Sequence, residues 1–134
     1  MAADAILAAL DRTGSYTHCP FAEGELRPGD LYEMLYPAGP GAEREIRCQH
    51  ALDFDYWDDP REGNAITIRT HSARPGSLYC WRDSFGVALY PYLADAFGQA
   101  CFSRSTDYTL PEEDYDVVIL EIVERSIPTL VPDT

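Results

Sequence analysis

The sequence predicts an α/β fold, with a parallel sheet and flanking helices in the second half and a β-hairpin with short helices before it. Three observations carry this. Leu78-Tyr79-Cys80-Trp81 is a short apolar strand that stops at Arg82-Asp83-Ser84 and turns straight into a helical pattern. Phe85, Leu89, Leu93 and Phe97 then recur every four residues, with Gly98 as the stop. Ala100-Cys101-Phe102-Ser103 and the run Val117–Val123 are two further apolar strands. Strand, helix, strand and strand in that order argue for parallel strands joined by crossovers. A chain of 134 residues suits one domain and is short for two. Within it, residues 1–74 read as an appendage of helices and hairpin, and residues 75–134 as the α/β core.

Taken in order, residues 3–12 place Ile6, Leu7 and Leu10 at helical spacing among strong helix formers, with Gly14 beyond as a stop. Ser15 to Pro28 holds Pro20, Gly24 and Pro28 without a sustained period and reads as a loop. Asp30 caps a second short helix with Leu31, Met34 and Leu35 on one face, which the Pro37–Gly41 cluster breaks. From residue 45 apolar and polar residues alternate: Ile46, Cys48, His50, Leu52, Phe54 and Tyr56 share one face of a strand or of two strands joined by a bend. The Asp58–Asn64 cluster is a turn, and Ala65–His71 resumes the alternation, so the two runs form a hairpin. In the helix after Ser84, Pro91 interrupts the pattern and predicts a kink with a free carbonyl. The run Asp116–Arg125 predicts a strand buried on both faces that emerges into charge.

Charge removes several classes of partner. With 23 acidic and 10 basic residues the net charge is −13, a field that repels nucleic acid and anionic membrane surfaces. No run of about 18 apolar residues is present, so no transmembrane segment is expected. The N-terminus, acidic at Asp4 and without a basic start, does not read as a signal peptide. Cys19, Cys48, Cys80 and Cys101 show no Cys-x-x-Cys spacing and no paired histidine pattern, which argues against a zinc site; no cofactor is called for. Cys80 and Cys101 sit in apolar runs and read as buried thiols. Cys19 and Cys48 lie in the polar half, where a disulfide is open if the compartment is oxidising.

The candidate site is the turn at Ser84. Ligands bind parallel sheets at the carboxyl ends of the strands, where Ser84 would meet the Glu121/Glu124/Arg125 group. A hydroxyl at a helix entry can be stabilised as an anion by unpaired backbone N–H groups, so Ser84 is a candidate nucleophile; the bland alternative is an ordinary serine N-cap. A serine must pass its proton to a base during attack. His71, near the end of the strand leading toward Ser84, is the candidate, whereas His50 on the apolar face of its strand reads as a core histidine.

Arg82-Asp83-Ser84-Phe85-Gly86, then Leu89-Tyr90-Pro91-Tyr92-Leu93 and Phe97, then Tyr115–Ile119 through Val123-Glu124-Arg125, together resemble the C-terminal part of SGNH-hydrolase-like proteins of the alginate O-acetyltransferase type. The resemblance covers roughly residues 75–128, and Gly29–Leu35 more faintly. It implies an SGNH-like, flavodoxin-like sheet, an extracytoplasmic bacterial location, and O-acetyltransferase or acetyl-esterase chemistry on a carbohydrate or acetylated polysaccharide. Ser84 would be the nucleophile, with Arg82, Asp83, Glu124 and Arg125 lining or bracing the site. The family's upstream Asp-x-His-Trp motif is not in this sequence. The expectation is therefore a partial domain, inactive alone, from a longer protein. The alternative is a non-catalytic carbohydrate-binding or interaction module.

Overall fold

The computed structural model describes residues 2–14, 16–27, 29, 34–37, 39, 41–57 and 66–130. They form two compact units, one of Met1–Gly14 with Leu52–Thr134 and one of Ser15–Ala51. A boundary after residue 74 coincides with neither junction. The fold is mixed α/β, with a five-stranded mixed sheet in the first unit and a two-stranded antiparallel ribbon in the second.

The five-stranded sheet has the order β3-β4-β6-β5-β7. Its strands are β3 (Asp55–Tyr56), β4 (Thr67–His71), β5 (Ser77–Trp81), β6 (Gln99–Ser103) and β7 (Val117–Leu120). β5 runs parallel to both β6 and β7, whereas β4 pairs antiparallel with β6 and β3 antiparallel with β4. The expected parallel sheet is therefore confined to three strands. Part of the expected hairpin is present, since Asp55 and Tyr56 pair with His71 and Thr70. The turn expected over residues 58–64 lies outside the described residues.

One face of this sheet is the core. Ile68, Leu78, Leu93, Phe97 and Phe102 are 0–1% exposed, and burying each such side chain stabilises the fold by about 1.5–3 kcal/mol. Leu93 and Phe97 come from the segment after β5, which the spacing predicts as one kinked helix. It is two pieces: a 3-10 helix Phe85–Ala88, then α2 (Tyr90–Ala96), with α1 being Ala2–Ala9. Pro91 sits in the first turn of α2, where its missing N–H would have had no partner in any case, so it starts a helix and kinks none. α1 buries Ala3 and Leu7, and the chain turns away from it through Asp11, whose φ of 53° is left-handed, three residues before the expected stop at Gly14. Arg12 follows with its guanidinium 4.0 Å from the Phe97 ring centroid and donates to the Pro75 and Ala96 carbonyls at 2.9 and 3.1 Å. Gly76 opens β5 with φ +86°, a conformation that disfavours any other residue.

β7 is an edge strand with half-buried and exposed residues alternating, Val118 and Leu120 being 45% and 41% exposed. The expectation of burial on both faces fails because an apolar run does not say how many neighbours its strand has. β7 also ends at Leu120; Glu124–Leu130 is a 3-10 helix.

In the second unit, β1 (Phe21–Arg27) pairs antiparallel with β2 (Glu43–Cys48), with an irregularity between Glu23 and Leu26. The segment expected to be a loop thus holds a 3-10 helix, Tyr16–His18, and a strand. The single alternating run splits: residues 43–48 belong to this ribbon and residues 55–56 to the large sheet. Met34 and Leu35 are helical, while the expected cap at Asp30 and Leu31 lie outside the described residues. Among the described residues no helix is long and apolar enough to cross a membrane.

Candidate functional site

The site grows from the way β5 ends. After Trp81 the parallel ladder gives one more bond, from Arg82 N–H to the Ser103 carbonyl at 2.8 Å. The chain then turns, and Asp83 takes over the hydrogen bonding. Its Oδ1 accepts from Phe85 N–H at 2.7 Å and its Oδ2 from Val123 N–H at 2.7 Å. The first bond caps the 3-10 helix; the second spans forty residues to the segment after β7. In return, Asp83 N–H donates to Glu121 Oε2 at 3.0 Å, and Glu121 N–H donates to the Trp81 carbonyl at 2.8 Å. The three bonds that cross between the segments, to Asp83 Oδ2, to Glu121 Oε2 and to the Trp81 carbonyl, clamp the carboxyl ends of β5 and β7 together.

Asp83 therefore does the capping that the sequence allowed Ser84 to do. Ser84 is exposed, and its side chain makes no capping hydrogen bond. The helix it enters is a four-residue 3-10 piece, so the macrodipole expected of a long helix is not there to stabilise an oxyanion.

The backbone around Ser84 lies at a topological switch point. β5 leads through α2 to β6 on one side of it, and α2 covers the core face. β6 leads to β7 on the other side of β5 through a loop on the opposite face, where Tyr108 meets Trp81 and Tyr115 meets Tyr79 edge-on at 6.1 and 5.3 Å. Where successive connections leave a sheet on opposite faces, a crevice opens outside the carboxyl ends of the two strands, the usual ligand position in such sheets.

The other expected site residues are distributed unevenly. Arg82 is 4% exposed, its guanidinium 5.6 Å from the Tyr90 ring centroid and Nη1 3.2 Å from the Asp83 carbonyl. It braces the turn from within the core, and burial lowers its pKa, with Arg104 adding to the effect. Glu124 and Arg125 are exposed residues that open the last 3-10 helix; Val123 is the residue that reaches Asp83. Glu121 is half-buried, and its carboxyl pKa is raised by desolvation first and by the neighbouring Asp83 carboxylate, against the Asp83 N–H and Arg82. Gly86 makes room for it: a Cβ there would stand 2.7 Å from Glu121 Oε2. Gly86 and Val123 escape sequence reasoning because their roles are contacts across the chain. Asp83 carried a signal, a carboxylate two residues before the first helical amide.

His71 is not brought to Ser84. It pairs with Gln99, which stands opposite Ser77 in the parallel ladder, so it lies level with the start of β5. Ser84 lies beyond the end of that strand, more than about 13 Å away along it at 3.3 Å per residue. The His71 ring packs on Trp57, centroids 4.6 Å apart. β4 is the expected strand, but being antiparallel to β6 it delivers its last residue to the amino end of β5. In the second unit, His50 is exposed, edge-on to Tyr16 at 5.0 Å, and so is not a core histidine.

Cys80 and Cys101 are buried as expected, and desolvation pushes the Cys80 thiol up to about 12. All four cysteines are free. Among the described residues no three His, Cys, Asp or Glu side chains are grouped to hold a metal ion.

Fold and site together define a mixed α/β domain with a parallel three-strand core and a serine turn at its switch point. Compared with known proteins, the sequence matches no family model and no curated protein. The fold is similar to that of a DHHW family protein from Eubacterium siraeum, with a TM-score of 0.54 and 15% identity over 90% of this chain. The match covers 53% of that chain, so this protein spans about half the length of the structure it resembles. At that identity the likeness is one of fold. It corrects the resemblance to SGNH-hydrolase-like proteins of the alginate O-acetyltransferase type, which these comparisons do not support. The matched motifs are short segments at strand and helix ends, a pattern that apolar strands in unrelated α/β sheets also produce.

Proposed function

We propose that the Arg82–Ser84 turn is the seat of an acyl-ester chemistry on a carbohydrate, with Ser84 as the acyl acceptor. The observation that carries this reading is an exposed serine hydroxyl, uncommitted to capping, at the topological switch point of the sheet on a turn clamped by Asp83. In the reaction, Ser84 Oγ bonds to the ester carbonyl carbon and gives up its proton to a base. The bond to the leaving alkoxide breaks and that oxygen is protonated; water or a sugar hydroxyl then takes the acyl group from Ser84. A neutral carbohydrate suits a surface of net charge −13 better than a phosphorylated substrate does. Both Asp83 oxygens already accept backbone bonds, which leaves Glu121, whose carboxyl pKa is raised by desolvation, as the carboxyl of this turn assigned to take up the proton.

A second reading, a module that binds a ligand at the crevice without turnover, is favoured by the position of His71. Labelling with a fluorophosphonate separates the two. Labelling of the wild type that vanishes in Ser84→Ala supports the nucleophile, and labelling that survives the substitution overturns it. No labelling of the wild type sides with the binding module.

A further inference from the structure

The sheet face opposite the core carries a pocket of its own, which does not include Ser84. On this face lie Arg69 of β4, Gln99 and Cys101 of β6, and Ser77, Tyr79 and Trp81 of β5, placed by the alternation of Ile68, Leu78, Cys80 and Phe102 into the core. The loop after β6 folds back over part of it. Trp81 Nε1 donates to the Asp107 carbonyl at 3.1 Å, and Asp116 Oδ2 accepts from Ser77 N–H at 2.8 Å and from its hydroxyl at 3.1 Å. Between this loop and Trp57 is a pocket of about 410 Å³, near the lower end of the range for small-molecule sites.

Its walls are aromatic and its edges polar. Trp57 is 61% exposed yet held in place: its N–H donates to the Arg69 carbonyl at 3.0 Å and its indole packs on His71. Tyr115 stands opposite, edge-on to Tyr79. Arg69 and Cys101 are register partners at the floor. Glu113, Asp114 and Gln99 also line the pocket. One guanidinium against two carboxylates disfavours phosphate and other polyanions. An aromatic wall takes the C–H face of a sugar ring; carboxylates accept from its hydroxyls, and the guanidinium and amide donate to them.

We propose that this pocket binds one or two rings of a neutral carbohydrate. Ser77 and Gln99 open β5 and β6, whereas Ser84 follows the end of β5, so a glycan held here is gripped at the opposite end of the sheet from the serine turn. The test is NMR titration of the intact chain with cellobiose, chitobiose and mannobiose, following the Trp57 indole and Gln99 amide signals, with inorganic phosphate alongside. At least one disaccharide is expected to shift both signals saturably. Trp57→Ala should weaken it by about tenfold or more, read on the Gln99 signal, and Gln99→Ala should weaken it less. Ser84→Ala should bind as the wild type does, which separates this site from the acyl chemistry. The proposal is overturned if no disaccharide shifts these signals, if phosphate does so instead, or if binding is indifferent to both Trp57→Ala and Gln99→Ala.

Discussion

Replacing Asp83 by alanine should destabilise the sheet-bearing unit far more than replacing Ser84 does. Asp83 accepts two backbone bonds of 2.7 Å on an ionised carboxylate, and a hydrogen bond to a charged group contributes about 1.5–3 kcal/mol. Two such bonds set an upper figure of roughly 6 kcal/mol. Two effects reduce it. Phe85 is 63% exposed, so water can replace the carboxylate at its amide, and removing the Asp83 charge relieves the half-buried Glu121. The remainder is the Val123 bond nearly in full plus part of the other, about 2–4 kcal/mol. For a domain of this size that lowers Tm by roughly 10 °C. Ser84→Ala removes an exposed hydroxyl that caps nothing and should stay within about 0.5 kcal/mol of the wild type. Urea unfolding gives the stabilities, and amide exchange locates the loss, which should be concentrated at Val123 in Asp83→Ala. If Ser84→Ala costs as much as Asp83→Ala, or if Val123 protection is unchanged in Asp83→Ala, Asp83 is not the clamp and the freedom of Ser84 is an error.

Two further predictions concern the same turn. Gly86→Ala places a Cβ 2.7 Å from both Arg82 Cβ and Glu121 Oε2, so a cost of about 1–3 kcal/mol is expected from overpacking; a neutral effect on the urea midpoint would mean the turn is looser than described. Glu121 has a folded pKa above its ordinary 4.5. Ionising it therefore costs stability as pH rises from the ordinary value through the folded value, and below the ordinary value no such cost exists. Glu121→Gln, which keeps an oxygen for Asp83 N–H, should accordingly gain stability relative to the wild type as pH climbs through that window. A wild-type-to-variant difference that is flat across pH would sink this assignment.

How far the sequence could be read depended on the range of the interaction concerned. The apolar runs of β5, β6 and β7 were legible because each has at least three consecutive apolar side chains, largely buried in β5 and β6 and only partly so in β7. β1 was not: Phe21–Arg27 contains Gly24 and three charged residues, and what makes it a strand is its partner β2, more than fifteen residues on. The alternation from Ile46 to Tyr56 was real in period, yet alternation names no partner, and the two ends of that run pair in different sheets. Pro91 was misjudged by one structural step, since the rule against proline inside helices reverses in the first turn. At the site, Ser84 and Glu121 were legible as residues at strand ends. The bonds that make them a site run from residue 83 to residues 121 and 123, and no local pattern encodes those.

The direction of β4 bears most on function. Had β4 run parallel to β5, His71 would have ended at the same end of the sheet as Ser84, though with β6 still between the two strands. Because β4 is antiparallel to β6, its last residue is carried to the amino end of β5, where it supports Trp57 at the sheet-face pocket. The same register that denies Ser84 an imidazole thus supplies the pocket with its aromatic wall. An exposed serine without a base is inert at its ordinary pKa; the acyl-ester reading proposed above assigns its proton to Glu121, the half-buried carboxyl of the same turn. That carboxyl is held in place by Asp83 N–H at 3.0 Å, and burial raises its pKa above the ordinary carboxylate value. A fluorophosphonate labelling rate that rises with pH through the Glu121 window in the wild type, and loses that dependence in Glu121→Gln while Ser84 is still labelled, is the outcome this chain of reasoning requires. A pH dependence retained in Glu121→Gln would show that the proton goes elsewhere.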